Sequence, residues 1–248
     1  MDISQSIGVI VVLVFIGLMV FFKMRIRAGV APHLRPIPAY DLIRRQLGQA
    51  VETGHRLHLS MGTGGIGGVD TAVSLAAWPV LNLLADPTTS PDAPPIVTVA
   101  DPTLLPVALD AVRRAERHSR MALPRDAALL VAPRPLAYAA AAGALLRDQK
   151  PLANVAIGAF GSEAALLLQA GEEAGAMQMA GSADPLGQAV MTVAAGAPTI
   201  VGEEIFAAGA YLCQEPSHVA SLMTQDVWRM VLIGAMLIGA LLRTLGVV

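Results

Sequence analysis

Leu57-His58-Leu59-Ser60-Met61-Gly62-Thr63-Gly64-Gly65-Ile66-Gly67-Gly68 decides how this chain is read: a short apolar run passes directly into a loop with five glycines. Gly62, Gly64 and Gly67 match G-x-G-x-x-G, after a predicted strand over 57–60 and before a predicted helix over 69–85. In that setting the first glycine permits a tight turn and the second lets backbone approach a pyrophosphate. The third lets helix and strand pack closely, with the helix N-terminus facing the phosphates. The expectation is a nucleotide or dinucleotide as cofactor, held by Gly62, Thr63, Gly64, Gly65 and Gly67. The acid that takes the ribose hydroxyls normally follows about 20 residues on. Here it is Asp101, 34 residues after Gly67, with the Pro-rich loop 86–95 as the insertion. The alternative is a glycine turn that only joins strand to helix.

Outward from this loop the chain alternates regularly. Helical sequence over 39–53 precedes the first strand. Strand-like runs then fall at 96–100, 128–132, 154–157, 177–180 and 199–201, with helices over 103–121 and 136–149 and others starting near Ser162, Asp184 and Glu203. Six short apolar strands separated by helices are consecutive βαβ units around a buried parallel sheet. The expected fold class is therefore α/β: a Rossmann-like three-layer domain with a mostly parallel six-stranded sheet, flanked by one transmembrane helix at each end.

The flanks come from hydropathy. The chain has 248 residues, 54% apolar and 15% charged, with a mean hydropathy of +0.59. Residues 3–22 carry no charge, and 20 residues at about 1.5 Å each span a bilayer core of about 30 Å. Asp2 precedes this run and Lys23, Arg25, Arg27 and Arg35 follow it, which is the reverse of a cleavable signal peptide. The positive-inside bias puts both termini outside and the central domain in the cytoplasm. At the other end 228–248 is long enough to cross, although Arg243 leaves an interfacial helix as the alternative. Ser4 with Gly8 and Ala235 with Gly239 would let the two helices approach closely. Expected boundaries are 1–27 for the first helix and its basic flank, 28–38 for a linker, 39–226 for the domain and 227–248 for the second helix.

A net charge of −2 argues against nucleic acid. Residues 23–150 hold 15 Lys/Arg against 10 Asp/Glu, whereas 151–228 hold no Lys or Arg and 8 Asp/Glu. This division favours a homo-oligomer, basic half against acidic half, or else basic residues near anionic lipid with the acids solvated. Arg113, Arg114, Arg117, His118 and Arg120 form the densest basic run. Asp101, Glu163, Asp184, Glu203 and Glu204 all follow predicted strands, where they would meet sugar hydroxyls or a hard cation, or simply cap helices. No lysine follows the glycine loop, and neither G-x-S-x-G nor H-E-x-x-H occurs, so no catalytic constellation is recognised. His33, His55, His58, His118 and His218 are expected to be solvated or core residues, and the single Cys213 a packing thiol.

The stretches His58 to Gly68 (HLSMGTGGIGG), Pro94 to Leu105 (PPIVTVADPTLL), Ala180 to Pro185 (AGSADP) and Gly202 to Leu212 (GEEIFAAGAYL) resemble an uncharacterised bacterial family of membrane-associated proteins with a domain of unknown function. The resemblance spans most of the chain and implies the architecture, while carrying no activity or site. A looser similarity to Rossmann-type nucleotide-binding domains rests on Gly62, Gly64 and Gly67 and departs from them in the late acid.

Overall fold

In a computed structural model the chain is described over residues 3–30, 32, 34–86, 94–119 and 127–245. Asp2, His33, residues 87–93 of the Pro-rich loop, Arg120 and the side chains of Ser4 and His118 lie outside the described residues. Two compact units are present, one formed by the chain ends and one by Pro36–Cys213.

The Pro36–Cys213 unit opens with α2 (Pro38–Thr53), the first helix of the chain being α1 (Ile3–Arg27). Then follow β1 (Leu57–Gly62), α3 (Thr71–Ala76), α4 (Trp78–Leu84), β2 (Ile96–Val99), α5 (Leu105–Ser119), β3 (Ala128–Leu130) and α6 (Pro135–Gln149). The second half adds β4 (Ala153–Ala159), α7 (Ala164–Glu173), β5 (Met177–Ser182), α8 (Pro185–Ala194), β6 (Ile200–Val201), a 3-10 turn (Gly202–Ala207) and α9 (Ala208–Tyr211). All six strands are parallel, in the order β3-β2-β1-β4-β5-β6. This is the doubly wound order, in which the chain reverses direction across the sheet at β1 and β4. Right-handed crossovers then place helices on both faces. On one face Tyr138, Ala142 and Leu146 of α6, Leu167 of α7 and Met191 of α8 close over Ala156 and Ala180. Small strand residues there let the helices lie close to the sheet.

One predicted helix, 69–85, is instead two. Pro79 has no N–H to give to the carbonyl one turn earlier and its ring crowds that turn, so α3 ends at Ala76 and α4 starts afresh at Trp78. The helix expected from Glu203 is likewise split, into a 3-10 turn and the four-residue α9. β1 and β4 approach unusually closely at their ends. The register steps from Ser60↔Ala156 to Gly62↔Ala159, a bulge that gives β4 one extra residue. Gly62 (φ +80°) and Gly158 (φ +153°) face carbonyls of the opposite strand, where any Cβ would overlap Ala159 O and Met61 O respectively. Only glycine fits on both sides of that contact.

The other unit holds α1 and α10 (Pro216–Thr244), which pack against each other. Both are long and apolar enough to cross a membrane. α10 is continuous from Pro216, eleven residues ahead of 227, because 216–226 carries helical spacing with a proline at the first turn. The small residues expected to bring the helices together do not do so: a Cβ at Gly8 or Gly239 would meet nothing within 4 Å. The partly buried positions among the described residues of α1 are Ser6, Phe15, Leu18, Met19, Phe22, Lys23 and Ile26, and from Phe15 to Ile26 they recur at three- and four-residue spacing along one face.

Candidate functional site

Reversal of strand order at β1 and β4 creates the crevice where ligands of such sheets bind, and the loop after β1 lies there. Its glycines have separate duties. Gly62 makes the turn out of the strand. Gly64 gives α3 close approach, since a Cβ there would overlap Ser74 Oγ and come within 2.8 Å of Ala159 Cβ and 2.9 Å of Asp70 Cβ. Gly65 abuts Asp101, whose two carboxylate oxygens lie 2.6 Å from where its Cβ would be. Gly67, expected to permit helix–strand packing, is exposed at φ +104° with open space around it. It serves the turn and leaves the packing duty to Gly64, because the helix starts four residues beyond it.

Asp101 therefore reaches the loop despite the long insertion before it. It ends β2, beside β1, so the extra residues loop out without moving the strand tip. Its Oδ1 accepts the Thr103 N–H at 2.8 Å and the Thr103 hydroxyl. Thr103 Oγ1 in turn accepts the Ile66 N–H at 2.8 Å. Thr71 Oγ1 accepts from Gly67 N at 2.9 Å, and Thr63 donates both its N–H and its hydroxyl to Ala159 O. Among the described residues the N–H groups of Gly64 and Gly65 find no protein acceptor. Ser74 Oγ is fully buried against Gly64, also without a partner, an arrangement native interiors rarely tolerate. Sequence reading missed Ser74 and Thr103, whose relevance shows only once α3 and β2 are placed beside the loop.

The other acids do not gather at this crevice. Asp184 accepts the Leu186 and Gly187 N–H groups at 2.9 Å as the N-cap of α8. Buried Glu163 accepts Gly161 N–H at 2.8 Å, and Glu204 accepts from Val201 N at 3.3 Å. Among the described residues no three His, Cys, Asp or Glu side chains come together as a metal cluster would require. α3, six residues long, offers only a small dipole to an anion. Cys213 is exposed, where the chain leaves α9, and is not a packing thiol.

Beneath the loop runs a buried polar row, unforeseen because each member looked like an isolated strand residue. His58, Asn154 and Gln178 are register neighbours on β1, β4 and β5. His58 Nδ1 donates to Asn154 Oδ1 at 2.7 Å, and Asn154 Nδ2 donates to Gln178 Oε1 at 2.8 Å. On the other side Thr98 Oγ1 donates to His58 Nε2 at 3.0 Å and lies 2.9 Å from Tyr138 Oη, which also contacts Ser60 Oγ. Gly62 N–H reaches the same phenol oxygen. Burial pushes His58 down to about 4, against the pull of the Asn154 bond, and pushes Tyr138 up to about 12. Both groups are neutral near pH 7. His58, Thr98, Asn154 and Tyr138 are fully buried, so this part of the row supports the loop from within the core.

The chain matches none of the curated proteins and none of the solved structures. A family model matches all of it, residues 1–248. The chain therefore belongs to the family described as Domain of unknown function (DUF6754).

Proposed function

We propose that this protein is a membrane-anchored α/β domain that holds a nucleotide, or a similar phosphate-bearing ligand, in the crevice between β1 and β4. The observation that carries the reading is the Asp101 carboxylate lying directly against Gly65 at the reversal of the sheet, where a ribose would present its hydroxyls. The N–H groups of Gly64 and Gly65 supply donors beside it. With no lysine or arginine between residues 57 and 112, phosphate would be held by backbone and hydroxyl, suiting a sensing or assembly role more than turnover. Lys23, Arg25 and Arg27 at the end of α1 support a cytoplasmic placement of Pro36–Cys213, with both termini outside.

The test is binding of ATP, GTP, NAD and NADP to the full-length protein in detergent. Asp101→Asn keeps an acceptor for Thr103 and should weaken the ligand that binds by tenfold or more. Ser74→Ala should raise the thermal midpoint, because an unpaired buried hydroxyl costs about 1 kcal/mol or more. Failure of all four nucleotides to bind, or equal binding by Asp101→Asn, overturns the reading.

A second reading is a structural subunit of a membrane-attached oligomer. It is favoured by the Ile66 and Gly67 N–H groups, which the loop's own neighbours already satisfy. The basic helix argues less for it than its sequence suggested: Asp110 pairs with Arg114 at 3.0 Å and Arg117 at 3.8 Å, and Arg114 also stacks on Trp78.

A further inference from the structure

At the edge of the sheet opposite the glycine loop, a cavity of about 570 Å³ opens among the end of α2, the start of β5 and the ends of α7 and α8. Its size falls in the range of small-molecule sites. Leu152 and, at the exposed rim, Met177 and Val193 give it apolar surface, while Gln46, Gln178 and the exposed Glu172 are its polar groups. Gln46 is only 8% exposed, yet its amide has no protein partner among the described residues. Its amide opens onto the cavity, where water or a ligand can pair with it. Gln178, 4% exposed, is fixed by Asn154 on one side and by donating to Ala176 O on the other.

Three observations set the sign of the ligand's charge. Glu172 is the only charged residue of the lining. The carbonyls of Thr192, Val193 and Ala194, at the open end of α8, accept no backbone N–H among the described residues, and such a helix end carries partial negative charge. Finally, residues 151–228, which supply most of the lining, contain no lysine or arginine to neutralise either. The lining itself offers an anion no cationic side chain.

We propose that this cavity is a binding site for a small organic cation, an ammonium or guanidinium on a short aliphatic chain. The charged group sits between Glu172 and the end of α8, and the aliphatic part lies on Leu152, Met177 and Val193. The site is independent of the glycine loop.

The test is calorimetric titration of the full-length protein in detergent at pH 7 with agmatine, which carries both cationic groups on four carbons, and with 4-hydroxybutylurea as its uncharged match. Saturable one-to-one binding of agmatine and none of the urea are expected. Glu172→Gln should weaken binding at least tenfold, and Val193→Arg, which brings a cation to an exposed rim position, should abolish it. Glu173→Gln, whose carboxylate pairs with Arg147 at 2.8 Å outside the cavity, should change nothing, and neither should Asp101→Asn. No saturable agmatine binding, equal binding of the urea, or unchanged affinity in Glu172→Gln overturns the proposal.

Discussion

Among the described residues of Pro36–Cys213, His58 links stability to pH through its burial. Fully enclosed, its imidazole takes a second ring proton only below about 4, whereas an unfolded one does so near 6.5. Between those values unfolding takes up a proton, so stability falls as the pH drops from 6.5 to 4. Above 6.5 the contribution is fully present, and below 4 this residue removes no more. The gap amounts to about 3 kcal/mol at about 1.4 kcal/mol per pH unit. The thermal midpoint of the full-length protein should therefore drop between pH 6.5 and 4.5, and drop less in His58→Gln. Equal slopes in the two proteins would show that His58 is not held neutral. His58 was legible in sequence as a core histidine, but its partners were not. Asn154 and Gln178 become neighbours only through parallel register, a property of strand pairs with long crossovers between them.

Among the elements, α8 shows how local sequence fixes geometry. Asp184 and Pro185 are an N-cap and a first-turn proline, and the side chain accepts the expected N–H groups. Gly187, the third residue of α8, lies against the end of β4, where a Cβ would overlap Phe160 O and come within 3.0 Å of Ser182 Oγ. Gly187→Ala must push α8 off backbone, which cannot yield as a side chain could. A loss of about 2 kcal/mol or more is expected, on the scale of overpacked cores, read as a lowered unfolding midpoint in urea. An unchanged midpoint would mean that α8 is free to shift. The strands and the order of helices were legible because apolar runs and caps are local signals. The break at Pro79 was legible in principle and was outweighed by the apolar periodicity around it. The small-residue faces of α1 and α10 misled for a related reason: four-residue spacing says which residues share a face, not which face meets the neighbour.

For the whole molecule, a parallel sheet buried on both faces and a pair of apolar helices have separate origins in the sequence. Exposed Ile10, Leu13 and Ile16 on α1, with Leu232, Met236 and Leu237 on α10, belong to helices long and apolar enough to cross a membrane. The Pro36–Cys213 unit by contrast buries its central strands, and Asp184 caps α8. A glycine loop at the reversal of the sheet, with Asp101 against it, is what makes this unit a candidate ligand holder instead of a bare scaffold. Native mass spectrometry of the full-length protein released gently from detergent tests that most directly, since one spectrum reports both subunit count and any co-purified small molecule. A nucleotide-sized excess mass on the wild-type protein, absent from Asp101→Asn, is the predicted result. A larger oligomer that carries no small molecule would contradict it and leave the glycine loop as a turn.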